Sequence, residues 1–116
     1  MRIKGTISRE LKKDNGTLYC LLSNLDITPC AEDDINEVMA IRDLIAEYPN
    51  FYIFLAIPAH MCAVMDQVEL ACQLENWNGD FLVRPDFLVY NITHSPYYTS
   101  FLMRQFWDAI KEAALH

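Results

Sequence analysis

The chain has 116 residues, 53% of them hydrophobic and 12% aromatic, enough for one packed core, which excludes a disordered chain and points to a single globular domain over residues 1–116. Its net charge of −7 disfavours direct binding to nucleic acid or to anionic membrane. The longest apolar run, Phe51–Ala59, has nine residues against the about twenty of a membrane-spanning helix, and no signal peptide is visible, so a cytoplasmic protein is expected.

Residues 2–11 alternate in part, with Ile3, Ile7 and Leu11 set against Lys4 and Arg9, which predicts a strand with one wet face. Asn15-Gly16 follows as a hairpin turn signal, and Thr17–Asn24 predicts the returning strand. Thr28-Pro29 has the form of a helix start, with Thr28 as N-cap and proline in the first turn. Glu32, Asp33 and Asp34 then sit where the helix dipole favours acids. Ile35, Val38, Met39, Ile41, Ile45 and Tyr48 share one face of that helix, and Glu32, Asp33, Asn36, Asp43 and Glu47 line the other. Tyr48-Pro49-Asn50 ends it. Glu47, in the last turn, opposes the dipole.

Phe51–Ile57 is apolar throughout, the pattern of a strand buried on both sides at the centre of a sheet. Residues 60–76 predict a second helix, with Met61, Val64, Met65, Val68 and Cys72 on one face and Asp66, Glu69 and Gln73 opposite. Phe81–Val83 and Phe87–Ile92 are strand-like and interrupted by Arg84-Pro85-Asp86; they form either a short hairpin or one strand with an edge proline. Ser95-Pro96 repeats the N-cap and proline signal and opens a last helix to about residue 114. The arc from Tyr98 through Phe101, Phe106 and Trp107 covers about half of that helix, wider than the roughly 100° stripe of a surface helix. The expected order is β-β-α-β-α-β(β)-α. That is an α/β fold of the mixed α+β kind, with an N-terminal hairpin, a mixed sheet of four or five strands and three packed helices.

Four cysteines stand at 20, 30, 62 and 72. On the predicted second helix Cys62 and Cys72 lie about 15 Å apart along the axis at 1.5 Å per residue, beyond the about 4.4–6.8 Å that a disulfide spans. No close C-x2–4-C pair suggests zinc. Buried thiols are expected. Glu32-Asp33-Asp34 reads better as a dipole-favoured cap than as a metal site, and no cofactor is expected. With only Gly5, Gly16 and Gly79 there is no phosphate-binding glycine loop, and no catalytic signature is present. Asn91-Ile92-Thr93 matches a glycosylation sequon, silent without secretion.

Charge is distributed unevenly along the chain. Residues 1–13 carry a net +4, residues 14–80 hold twelve acids and one base, and residues 81–116 cancel. A stretch so nearly free of cations predicts a negative field on one side, suited to a basic partner. The leading expectation is a small acidic inhibitor, not an enzyme. Such a protein, of the immunity or nucleic-acid-mimic type, covers the active site of a basic protein such as a nuclease toxin. Its expected carriers are Glu32, Asp33, Asp43, Glu47, Asp66 and Glu69, with Met103 and Trp107 of the last helix as an edge contact. Two alternatives use other residues. His60 and His94 each follow a predicted strand and would share a ligand site on one rim if those strands were parallel neighbours. A homo-oligomer, a homodimer in the simplest case, would pair through the last helix.

Overall fold

A computed structural model describes residues 1–48, 50–77, 80–93, 101–102 and 107–108. The elements are strands β1 (Arg2–Asp14) and β2 (Thr17–Thr28), helix α1 (Ile35–Glu47), and strands β3 (Ile53–Pro58), β4 (Gln67–Trp77), β5 (Asp80–Asn91) and β6 (Phe101–Leu102). They form one sheet in the order β3-β2-β1-β4-β5-β6, and every pairing is antiparallel. The expected three-helix mixed fold is therefore replaced by an antiparallel sheet, with α1 the one full helix among the described residues.

The first hairpin forms as its turn signal predicts. Asn15 at φ 51° and Gly16 at φ 79° are the two left-handed positions that an Asn-Gly turn supplies, and they bring Asp14 opposite Thr17. The two strands are long and irregular. Ser8 and Leu11 are extra residues on β1, and β2 carries one extra residue at Asn24-Leu25. Each bulge bends and twists the ribbon.

The start of α1 differs from expectation. Thr28 stays in the ladder opposite Arg2, so strand pairing overrides its N-cap signal. Asp34 caps instead, its carboxylate accepting from the Asn36 amide at 2.9 Å. Tyr48 closes the helix, donating its N–H to the Leu44 carbonyl. Val38 and Ile41 are buried and Ile45 packs beside them, whereas Ile35, Met39 and Tyr48 of the same predicted face are exposed.

The predicted second helix is a loop and a strand. Residues 59–66 make turns, Met65 sits at φ 80°, and β4 begins at Gln67. Val68 and Cys72 are four apart and so satisfy a helical face, but Val68, Leu70, Cys72 and Leu74 also alternate with Gln67, Glu69, Gln73 and Glu75. The period of two prevails because β4 pairs with β1 on one side and β5 on the other. Residues 80–91 form one strand rather than two, with Val89 and Asp86 as extra residues opposite β4. The last predicted helix is interrupted at its start, because Phe101 and Leu102 pair with Leu88 and Phe87. Trp107 and Asp108 are helical. The Ser95-Pro96 cap and the rest of that helix lie outside the described residues.

The core lies on one face of the sheet. Ile3 and Ile7, Leu18, Cys20 and Leu22, Ile53, Leu55 and Ile57, and Val68, Leu70 and Cys72 point inward from β1 to β4 and meet Val38 and Ile41 of α1. Gly5 shares this inward side, and a Cβ built there would stand 2.7 Å from Leu22 Cγ and 2.9 Å from the Ser23 carbonyl oxygen. Only hydrogen fits.

β3, expected at the centre of the sheet, stands at the end of the strand order. Its apolar character has another cause. Its inner residues join the core, and Ala56 on the outer side is sealed by Trp107, with Tyr19 and Phe54 packed alongside. The indole Nε1 of Trp107 also donates to Glu75 of β4. Ala56 stands level with Tyr19 and Lys12, while Glu75 lies four residues past Ala71, which faces Arg2. On a flat sheet those positions would be more than about 30 Å apart at roughly 3.3 Å per residue. One indole reaches both, so the sheet is coiled, and the bulges are where the long strands bend.

Candidate functional site

Helix α1 buries Val38 and Ile41, three apart, so successive residues at 100° steps place Asn36, Asp43 and Glu47 on the outward side. Glu37 lies on one flank in the first turn. Glu32 and Asp34, just before the helix, are exposed, as are Glu37, Asp43 and Glu47. None of these five carboxylates forms an ion pair with a described residue. The helix has one cation, Arg42, whose Nη2 donates to the Ile27 carbonyl at 3.2 Å. The result is an acidic surface about 20 Å long, from 13 helical residues rising 1.5 Å each.

At its N-terminal end this surface borders a depression of about 320 Å³ lined by Glu32, Asp33, Asp34, Glu37, Gln73, Leu74 and Met1. The acids here have separate tasks. Asp33 accepts from the Met1 amino group at 2.9 Å through Oδ1 and from the Cys30 amide at 2.6 Å through Oδ2. Burial pushes its carboxyl up, but the Cys30 N–H and the Met1 ammonium outweigh that and hold it below the usual carboxylate value. Asp34 is the helix cap. Among the described residues no three His, Cys, Asp or Glu side chains converge as a metal site would need.

The expected carriers therefore divide. Glu32, Asp43 and Glu47 are exposed on or beside α1, whereas Asp33 is engaged internally. Asp66 and Glu69 do not share a helical face with them, because that helix is absent. Asp66 is 3% exposed, and its Oδ2 accepts from the Ala63 amide and from Asn91 Nδ2, each at 2.9 Å. Asn91 also donates to the Met61 carbonyl at 3.0 Å, so this cluster pins the loop before β4 to the end of β5. Glu69 is 8% exposed and paired with Arg2 at 3.1 Å on the outer face. Trp107 is 9% exposed, its ring spent on its own sheet. Met103 lies outside the described residues.

The histidine rim loses its premise of neighbouring strands. The strands before the two histidines, β3 and β5, run in the same direction but are not neighbours, because β2, β1 and β4 lie between them in the sheet. His60 is exposed in the turn after β3, and His94 lies outside the described residues. Burial pushes the Cys20 thiol up to about 12, with Cys62 and Glu10 adding to it, and pushes the Cys62 thiol to about 12, with Asp66 adding and the Asn91 hydrogen bond opposing. Burial also raises Cys72. No disulfide joins them. These are poor nucleophiles at neutral pH.

Sequence reasoning missed two members of the acidic surface, Asp34 and Glu37. Their spacing, Asp34-x-x-Glu37, is a capping-box pattern that marks the true helix start. A second missed feature is a partly buried cluster on β4 and β5. Arg84 Nε donates to Asp86 Oδ1 at 2.8 Å, its Nη2 donates to Gln73 at 3.2 Å, and its Nη1 lies 4.0 Å from Glu75, which also holds Trp107. No sequence motif links these positions. No described helix is long and apolar enough to cross a membrane. Comparison of the chain with protein-family models, curated proteins and solved structures gave no match.

Proposed function

We propose that this chain is a small inhibitor-type binding protein that lays the acidic surface of α1 on a basic protein partner, such as a nuclease toxin, and blocks its active site. The observation that carries the reading is the set Glu32, Asp34, Glu37, Asp43 and Glu47, five exposed carboxylates with no described ion-pair partner. Glu47 supports it further. It stands in a last turn that has no basic residue, where a carboxylate costs helix stability, so its presence favours a role outside the helix. The action is steric, with electrostatic steering that speeds encounter and fades with salt.

The test is affinity capture from a lysate of the source cell with washes at low and high salt, followed by mass spectrometry and association kinetics on the purified pair. The reading expects a stoichiometric basic protein whose association rate falls with salt. It also expects a further fall, about tenfold or more, when Asp43 and Glu47 are both reversed to lysine. Unchanged association kinetics in D43K/E47K would remove the acidic surface from the mechanism.

A further inference from the structure

Among the described residues strand β1 has two strand neighbours along Arg2–Thr6, where β4 pairs with it on the side opposite β2. At Ile7 the loop before β4 takes over, with Met65 donating to the Ile7 carbonyl and Ile7 donating to the Asp66 carbonyl. Beyond that point Ser8–Asp14 pairs with β2 alone among the described residues, and all seven residues are exposed. Leu11 among them is 40% exposed. This is an open strand edge, a ready template for another strand.

The order of charges on that edge is self-complementary. If two copies of Arg9-Glu10-Leu11-Lys12-Lys13-Asp14 run antiparallel about a two-fold axis between Leu11 and Lys12, Arg9 faces Asp14 of the second copy and Glu10 faces its Lys13. Symmetry repeats both pairs, so four opposite-charge pairs form. Sliding by one residue one way sets Arg9 against Lys13 and leaves Glu10 against Lys12 as the one kind of opposite pair, and sliding the other way sets Lys12 against Lys12 and Glu10 against Asp14. One register is therefore selected and its neighbours are penalised. The bulges at Ser8 and Leu11 guard the edge against arbitrary strands. In the paired register Leu11 of each copy stands beside the axis opposite Lys12 of the other, and Ser8 falls opposite the turn residue Asn15, outside the six-residue pairing. Among the described residues Lys13 contacts Glu10 at 3.6 Å and Lys12 stands over the Tyr19 ring at 4.8 Å, surface contacts that cost little to exchange.

We infer that the Arg9–Asp14 edge of β1 binds a second copy of this chain, joining two sheets into one across a two-fold axis. The surface is distinct from α1, so the dimer would present two acidic helices without covering them.

The experiment is sedimentation equilibrium on the full chain from about 10 μM to about 1 mM, the range suited to a short edge contact. The wild type is expected to shift from 13.5 kDa towards twice that mass. K13E sets a second carboxylate against Glu10 at both symmetry-related positions and should weaken the dimer about tenfold or more. The swap E10K/K13E reverses both partners and should restore it. Circular dichroism confirms that each variant is folded, as substitutions at exposed positions should be. A wild type that stays monomeric at the highest concentration overturns the inference. So does K13E pairing as strongly as the wild type, which would place self-association elsewhere, or a folded E10K/K13E that does not recover.

Discussion

Replacing Asp66 with alanine separates a structural role from a partner-binding one. The carboxylate is 3% exposed and its Oδ2 accepts from the Ala63 amide and the Asn91 side chain. Hydrogen bonds to a charged group contribute about 1.5–3 kcal/mol each, and a buried donor left without an acceptor costs about as much again as it would gain. Asn91 keeps the Met61 carbonyl, which limits the damage on that side. D66A should therefore lose about 3–5 kcal/mol, a large share of the about 5–15 kcal/mol typical of a domain. D66N retains one acceptor oxygen and should lose about 1–2 kcal/mol. Urea unfolding followed by circular dichroism measures both, read as a lower midpoint at unchanged slope. A D66A midpoint within about 0.5 kcal/mol of the wild type would refute the reasoning and return Asp66 to the set of partner-facing acids.

Two further outcomes follow from the core. Gly5→Ala should destabilise by about 1–2 kcal/mol. The new methyl meets Leu22 and a backbone carbonyl inside 3 Å, and overpacking of about 1–3 kcal/mol exceeds the roughly 0.4–1 kcal/mol gained from a stiffer unfolded chain. In urea unfolding Leu22→Ala, which removes the Cγ and Cδ2 that the new methyl meets, should relieve part of that cost in the double variant, and strict additivity would count against the clash. The raised thiols predict alkaline sensitivity. Cys20 and Cys62 ionise near 9.0 when unfolded and near 12 when folded. Their contribution is thus intact below pH 9 and declines as pH rises towards 12. Urea midpoints from pH 8 to 11 should fall less steeply in Cys20→Ala than in the wild type.

Local signals in the sequence are legible where no distant strand competes with them. Asn15-Gly16 has one good conformation, and the hairpin follows from it. The end of α1 at Tyr48 and the strand at residues 53–57 are legible for the same reason. Thr28-Pro29 fails as a helix start because Arg2, 26 residues earlier, holds Thr28 in a ladder. Residues 60–76 fail as a helix because Val68 and Cys72 fit periods of both two and four, and the pairing of Gln67–Ala71 with Arg2–Thr6 on one side and of β4 with β5 on the other decides between them. The acidic set is legible as composition but not as surface. Glu69 counts as an acid in any tally, yet Arg2 neutralises it from the strand beside it. Glu32, Asp43 and Glu47 need only the helix to be right, whereas Asp33, Asp66 and Glu69 need the tertiary structure.

The indole of Trp107 completes a surface that begins some fifty residues earlier in the chain. During synthesis β3 and β2 emerge long before that ring, so the outer side of Ala56, flanked by Tyr19 and Phe54, remains wet on the ribosome until the segment carrying Trp107 follows. A chain terminated before that segment would keep the strip uncovered beside the edge of β3 that has no partner among the described residues, which is the arrangement that recruits chaperones or seeds aggregates. Quality control of this protein thus depends on a residue far from the acidic helix, and an early stop codon would remove the fold's seal while leaving most of its charge in place.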